Sequence, residues 1–128
     1  MSVQYGPTVA DHVANPRNLG KLDDADGVGQ VDDVATDTLL TIYVRVGWSA
    51  DGRRVVAAAR FRALGCSGCI ATGSVATELA TGRAVEEIVG VDAAAISRAL
   101  DDGLPAEQRY CADLAATALR RAIDAAGS

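Results

Sequence analysis

The chain has 128 residues and a mass of 13.1 kDa, enough for one modest hydrophobic core and too little for two, so residues 1–128 are read as a single domain. Apolar residues make up 49% of it but aromatic residues only 4%, which leaves Val, Leu, Ile and a great deal of Ala to build that core by close packing. The formal charge of -5 and the pI near 4.7 repel polyanions, and no Lys/Arg cluster interleaved with aromatic rings offsets that field, so nucleic acid is excluded as an expected partner.

In chain order, Pro7 to Val13 predicts a short helix, with Pro at an allowed first-turn position and Asn15-Pro16 stopping it. The following stretch, NPRNLGKLDDADGVGQ, is rich in Gly, Asn and Asp and reads as a surface loop. His12 is the only histidine and is expected to cap or pack the first helix, while Arg17 and Asn18 fix the loop by hydrogen bonds. From Leu40 the apolar residues alternate, with Leu40, Ile42, Val44 and Val46 on one side and Thr41, Tyr43 and Arg45 on the other, which predicts a half-buried strand. An Asp51-Gly52 turn follows, and Val55, Ala57, Ala59, Phe61 and Ala63 alternate in their turn, completing a hairpin. Trp48, beside that turn, is expected to pack or to serve an interface. Gly27 to Asp33 supplies a third strand. After Gly68 the pattern becomes helical: Ile70 to Ala80, two short pieces at Ala84 to Val89 and Asp92 to Leu100, and a last helix from about Glu107 to Ala125. That last helix turns Cys111, Ala115, Ala118 and Ala122 inward, joined by Leu114, Leu119 and Ile123. Sheet first and helices after gives an α+β fold, a small antiparallel sheet of about three strands with helices on one face.

No apolar run reaches the length of a signal peptide or of a membrane span, about 18 residues, so the expected location is the cytoplasm, away from membranes. Three cysteines, an odd number, do not suit a secreted disulfide framework, and a reducing compartment keeps them as thiols. Cys66 and Cys69 fall where a strand ends and a helix begins, in a turn carrying Gly65 and Gly68; Cys111 falls on the inward face near the start of the last helix. Helix starts stabilise thiolates, the form that binds metal or attacks sulfur. A CxxC pair alone does not distinguish metal ligation from thiol–disulfide exchange. Three cysteines with a fourth position left to an oxygen, a histidine or an exchangeable group suit a site that releases what it binds.

Three blocks in order carry a family resemblance. DHVANPRNLGKLDDADGVGQV is similar to a DHxxNPRNVG segment, ARFRALGCSGCIATGSVATELATGRAVEEI to a strand–turn–helix around a cysteine, and LPAEQRYCADLAATALRRAI to an LPPVK-to-cysteine segment with its terminal helix. Together they resemble the U-type iron–sulfur cluster scaffolds, the IscU/NifU family, over nearly the whole chain. The resemblance implies an α+β fold with a small antiparallel sheet. It also implies a non-enzymatic role in which iron and desulfurase-derived sulfide are assembled into a [2Fe-2S] cluster and passed to apo iron–sulfur acceptor proteins. Its implied partners are a cysteine desulfurase and those acceptors, with room for a homo-oligomer, and zinc is an alternative occupant of the site.

The departures bear on the ligands. Where the family has an ACGD-like turn, this chain reads Ala35-Thr36-Asp37-Thr38, so Thr36 stands at the first cysteine and Thr38 at the aspartate. Cys66 and Cys111 occupy the two retained cysteine positions. Cys69 is extra, a replacement thiol one helical turn beyond Cys66. The expected ligand set is therefore Cys66, Cys69, Cys111 and, with a one-residue shift of the loop, Asp37, for which Asp32 and Asp33 compete. Tyr110 replaces a residue that is often His in the family. Leu104-Pro105-Ala106-Glu107-Gln108 replaces LPPVK, trading its Lys for Gln after a Glu, so handling by an Hsp70-type chaperone is not carried over. The alternatives are a stable iron, iron–sulfur or zinc module without assembly activity, and a CxxC thiol redox protein.

Overall fold

Alternating apolar residues from Thr38 onward build an antiparallel sheet of order β1-β2-β3 (β1 Gly27–Asp33, β2 Thr38–Trp48, β3 Arg54–Leu64). The computed structural model describes residues 5–127. Helix α1 (Pro7–Ala14) precedes the sheet. After it come α2 (Ser67–Ala80), a 3-10 segment (Val85–Gly90), α3 (Ala93–Ala99), a short 3-10 turn (Ala106–Gln108) and α4 (Tyr110–Ala125). The α+β order expected from the pattern is the one observed.

The inward set Leu40, Ile42 and Val44 is fully buried, as its alternation requires. On β3 the predicted inward set holds only from Ala59. The register shifts between Arg45 and Val46, so Val46 faces Val56 while Arg45 faces Ala58. The extra residue, Ala57, is turned out to solvent and Val56 is buried in place of Val55. A bulge of this kind reverses the facing of all that lies beyond it, which a strict two-residue period cannot anticipate. Trp48, expected to pack or to serve an interface, is 71% exposed at the end of β2 and so does not pack within the chain.

Helices α2 and α4 lie on one face of the sheet and against each other. Their close approach is a matter of small residues. A Cβ on Gly29 would sit 2.0 Å from the Ala118 carbonyl oxygen and 2.4 Å from the Ala122 nitrogen, so α4 seats its backbone directly on β1. Ala115, Ala118 and Ala122 present the matching surface and are fully buried. The large side chains of the core, Phe61, Leu40, Ile42, Ile96, Leu100 and Leu119, fill the space on either side. Leu114 and Ile123, predicted among the inward residues, are only half-buried.

The N-terminal loop is tied to α2 by polar contacts. His12 is buried, and its Nδ1 lies 2.7 Å from the Ser74 hydroxyl, which also accepts the Arg17 backbone N–H at 2.9 Å. A Ser74 hydroxyl donating to a neutral His12 satisfies both partners. Asn18 donates to the Thr77 hydroxyl at 3.3 Å, and its carbonyl accepts from the Phe61 N–H. His12, Arg17 and Asn18 thus hold the structural places expected of them.

Candidate metal centre

Two junctions form the site. The first is the end of β3, where Gly65 takes a φ of 143° and turns the chain so that Cys66 becomes the N-cap of α2. Cys69 follows in the first turn of α2, its N–H bonded to the Cys66 carbonyl at 3.1 Å. The helix therefore starts at Ser67, three residues earlier than the pattern suggested, and both thiols belong to it. The second junction is the start of α4, which begins at Tyr110 rather than near Glu107 because Ala106–Gln108 forms a separate 3-10 turn. Cys111 then points from the first turn of α4 into the α2–α4 contact.

Packing of α4 on α2 brings the three thiols together across 42 and 45 residues of sequence. Their Sγ atoms are 2.9 Å apart for Cys69 and Cys111, 3.3 Å for Cys66 and Cys111, and 3.7 Å for Cys66 and Cys69. Cys69 and Cys111 are fully buried and Cys66 is partly exposed, at the mouth. Among the described residues this is the only cluster of three or more Cys, His, Asp or Glu with the spacing of a metal site. Three thiolates on one tetrahedral ion, with metal–sulfur bonds of about 2.3 Å, want sulfurs about 3.8 Å apart. The Cys66–Cys69 separation already meets that value, and the Cys69–Cys111 pair would have to open. The soft donor set suits iron, iron–sulfur or zinc.

The protons on this cluster are unevenly held. A hydrogen bond from Cys111, helped by Cys66 and the Thr38 hydroxyl, brings the Cys69 thiol down to about 7 against the opposing effect of burial. Cys111, which keeps the shared proton, is pushed up by that same bond and by desolvation. The pair therefore loses its first proton near neutral pH, and its singly charged form is the one a cation would bind.

Asp37 is not in the cluster. It is exposed and adopts the left-handed conformation, φ 54°, closing the 3-10 turn Val34–Thr36. That is a backbone state glycine enters without strain, and Asp37 stands where the ACGD-like turn has Gly. Asp33 accepts a hydrogen bond from Thr36 at 2.8 Å, and Asp32 is exposed on β1. The oxygens beside the thiols are instead those of residues that pattern reading passed over as ligands. The Tyr110 hydroxyl is 3.6 Å from Cys66 Sγ and 3.5 Å from the buried Thr38 hydroxyl, which Thr36 reaches at 3.0 Å. Thr38 hydrogen bonding draws the Tyr110 phenol down, but bonding to Cys66, burial and the nearby thiols together outweigh it and hold the group up at about 12.

Gln108 is the second residue whose place was not legible. Its side chain is 8% exposed, and Oε1 accepts both the Gly68 backbone N–H and the Tyr5 hydroxyl at 3.0 Å. Gly68 lies between the two thiols of the CxxC pair. A Cβ there would come within 2.5 Å of Gln108 Oε1 and 3.4 Å of Cys111 Sγ. Gln108 is thus a buried clasp on the start of α2, not a surface side chain offered to a partner.

Residues 4–126 match the family model described as the NifU-like N-terminal domain. The chain is 45% identical over 119 residues to the iron–sulfur cluster assembly scaffold protein IscU 1 of Archaeoglobus fulgidus, a match covering 93% of this chain and 74% of that protein. Among solved structures, the N-terminal part of a NifU-like protein from Brucella abortus superposes with a TM-score of 0.68 at 16% identity, covering 94% of this chain and 92% of the other. A scaffold protein for the SUF system from Fervidobacterium islandicum gives the same TM-score at 18% identity, covering 93% and 96%. These two likenesses confirm the fold. With a three-stranded antiparallel sheet backed by α2 and α4, and with the family model matched almost from end to end, the chain belongs to the NifU-like N-terminal domain family, the family of the IscU scaffolds.

Proposed function

We propose that this protein is an iron–sulfur cluster assembly scaffold, receiving iron and sulfide as cargo, holding the nascent cluster on Cys66, Cys69 and Cys111, and passing it to apo-acceptor proteins. The observation that carries the reading is the convergence of three sulfurs, drawn from two separate helix starts, into one partly open pocket. The scaffold names of its relatives support the same reading. The family match over residues 4–126 supports treating 1–128 as one scaffold domain. A [2Fe-2S] cluster or iron is the expected cargo, and zinc suits the same thiolates. Such a protein works with the iron–sulfur assembly machinery, with a desulfurase as sulfur source, and is not a turnover catalyst.

The pocket offers three soft ligands and leaves the fourth position to oxygen. Asp37 reaches it only if the Val34–Thr38 turn moves, whereas the Tyr110 hydroxyl already stands beside Cys66. A weak or exchangeable fourth donor favours release to an acceptor over storage. The buried pair gives up its first proton near neutral pH, which lowers the cost of the first cation's entry, and further binding expels the remaining thiol proton.

The test is anaerobic reconstitution with ferrous iron and sulfide. Thiolate-to-iron absorption should appear, and the cluster should pass to an apo-ferredoxin faster than free iron and sulfide load it. Colour that persists in the presence of both acceptor and chelator would overturn the scaffold reading in favour of a stable metal module. Cys66→Ser and Cys111→Ser should each lose most of the bound metal. Cys69→Ser should do the same if Cys69 replaces the missing first cysteine, and a variant binding like wild type would remove it from the ligand set.

A further inference from the structure

Three thiols are more than a site with two retained cysteines needs, and they are not equivalent. Cys66 is at the mouth and partly exposed; Cys69 and Cys111 lie behind it with no exposed surface. A sulfur-bearing donor from outside can therefore touch only the first, while both of the others stand within 3.3 to 3.7 Å of its Sγ. One accessible thiol backed by two buried ones is the arrangement of an acceptor with its own resolving pair. The scaffold reading, on which this inference rests for the fate of the product, consumes sulfide. Sulfur carried as a persulfide is two electrons more oxidised and must be reduced before iron can use it.

We propose that the cluster holds its own reductant: sulfane sulfur arriving on the partly exposed Cys66 is released as sulfide by the buried Cys69/Cys111 pair. In the first step the Cys66 thiolate attacks the outer sulfur of R–S–SH. The donor's S–S bond breaks, R–S⁻ leaves, and Cys66 becomes a persulfide. In the second step a thiolate of the buried pair attacks Cys66 Sγ. The bond to the outer sulfur breaks, HS⁻ leaves, and a disulfide joins Cys66 to its attacker. The sulfane sulfur gains two electrons and the two cysteines supply them. The third thiol, 2.9 Å from its buried partner, lets the disulfide move among the three by exchange. An external dithiol returns the protein to its starting state. Attack from a fixed neighbour replaces a bimolecular collision, which makes the internal route faster than reduction by a dilute thiol in solution.

The experiment uses the reduced, metal-free chain under anaerobic conditions with one equivalent of glutathione persulfide and no other thiol. Wild type should release about one equivalent of sulfide. Its intact mass should fall by two hydrogens, with Cys66 in the new disulfide. Cys69→Ala/Cys111→Ala keeps Cys66 and should stop at the persulfide, gaining the mass of one sulfur and releasing sulfide at least about tenfold more slowly. A wild-type chain that keeps the added sulfur overturns the proposal without recourse to any variant, and so does a double variant that releases sulfide at the wild-type rate. Reconstitution of the same wild-type preparation with iron and sulfide separates the two readings. A cluster that forms while the persulfide persists removes only this proposal, and sulfide release without cluster formation removes only the scaffold reading.

Discussion

Replacing Gln108 by leucine keeps the volume and the burial but removes the oxygen on which two donors converge. The Gly68 N–H is among those a helix leaves unpaired in its first turn. It is buried against Gln108 Oε1 at 3.0 Å, in a contact so close that a methyl group at Gly68 would lie 2.5 Å from that oxygen. Orphaning a buried N–H costs about 1–3 kcal/mol. The Tyr5 hydroxyl, on a half-buried ring, can turn to water and loses about 0.5–1 kcal/mol. The sum, about 1.5–4 kcal/mol, corresponds near its middle, in a chain of this size, to a melting temperature lowered by about 10 °C. Tyr5→Phe alone should cost about 1 kcal/mol, because Gly68 keeps its acceptor. In the Gln108→Leu background the same change should cost almost nothing, because the partner has already gone. Thermal unfolding of the four proteins in this cycle measures every quantity. A Gln108→Leu chain melting within about 2 °C of wild type, or a Tyr5→Phe penalty equal in both backgrounds, would refute the clasp.

Two further predictions concern parts of the fold away from the thiols. Burial first, and then the nearby Arg17 charge, lower the pKa of His12 below its ordinary 6.5. A basic group depressed in the folded state takes its proton more readily when unfolded. Its contribution is therefore complete above pH 6.5 and is lost as pH falls below that value. Urea unfolding should show stability declining from pH 7 to pH 5.5, and His12→Gln should flatten that part of the profile; an unchanged slope would disprove the assignment. Gly29→Ala places a methyl group on the α4 backbone and should cost about 3 kcal/mol, lowering the melting temperature by about 10 °C. Amide exchange in α4 should accelerate with it, and a variant as stable as wild type would show that α4 does not seat on β1 as described.

The alternation of Leu40, Ile42 and Val44, the small inward residues of the last helix and the Gly-bearing turn before α2 are local patterns. They state the period of each element and the face it buries, so the α+β class and the three strands were legible from the chain alone. So were the three thiols as chemically able groups. Their convergence was expected from the family resemblance alone and not from residue pattern, because it depends on how closely α4 approaches α2, and that is decided by backbone packing at Gly29 and Gly68 rather than by any property of the cysteines. The bulge at Ala57 escaped for a related reason: a register shift is a relation between two strands and has no signature within one. In the sequence Gln108 shows only the loss of the LPPVK lysine, whereas in the fold its oxygen stands between Tyr5 and Gly68, 103 and 40 residues away. Residue type and spacing settle which side chains can ligate sulfur-loving metals; only the packed fold decides which of them share a pocket, and which oxygens stand there with them, because distance in space is set by contacts between elements remote in sequence.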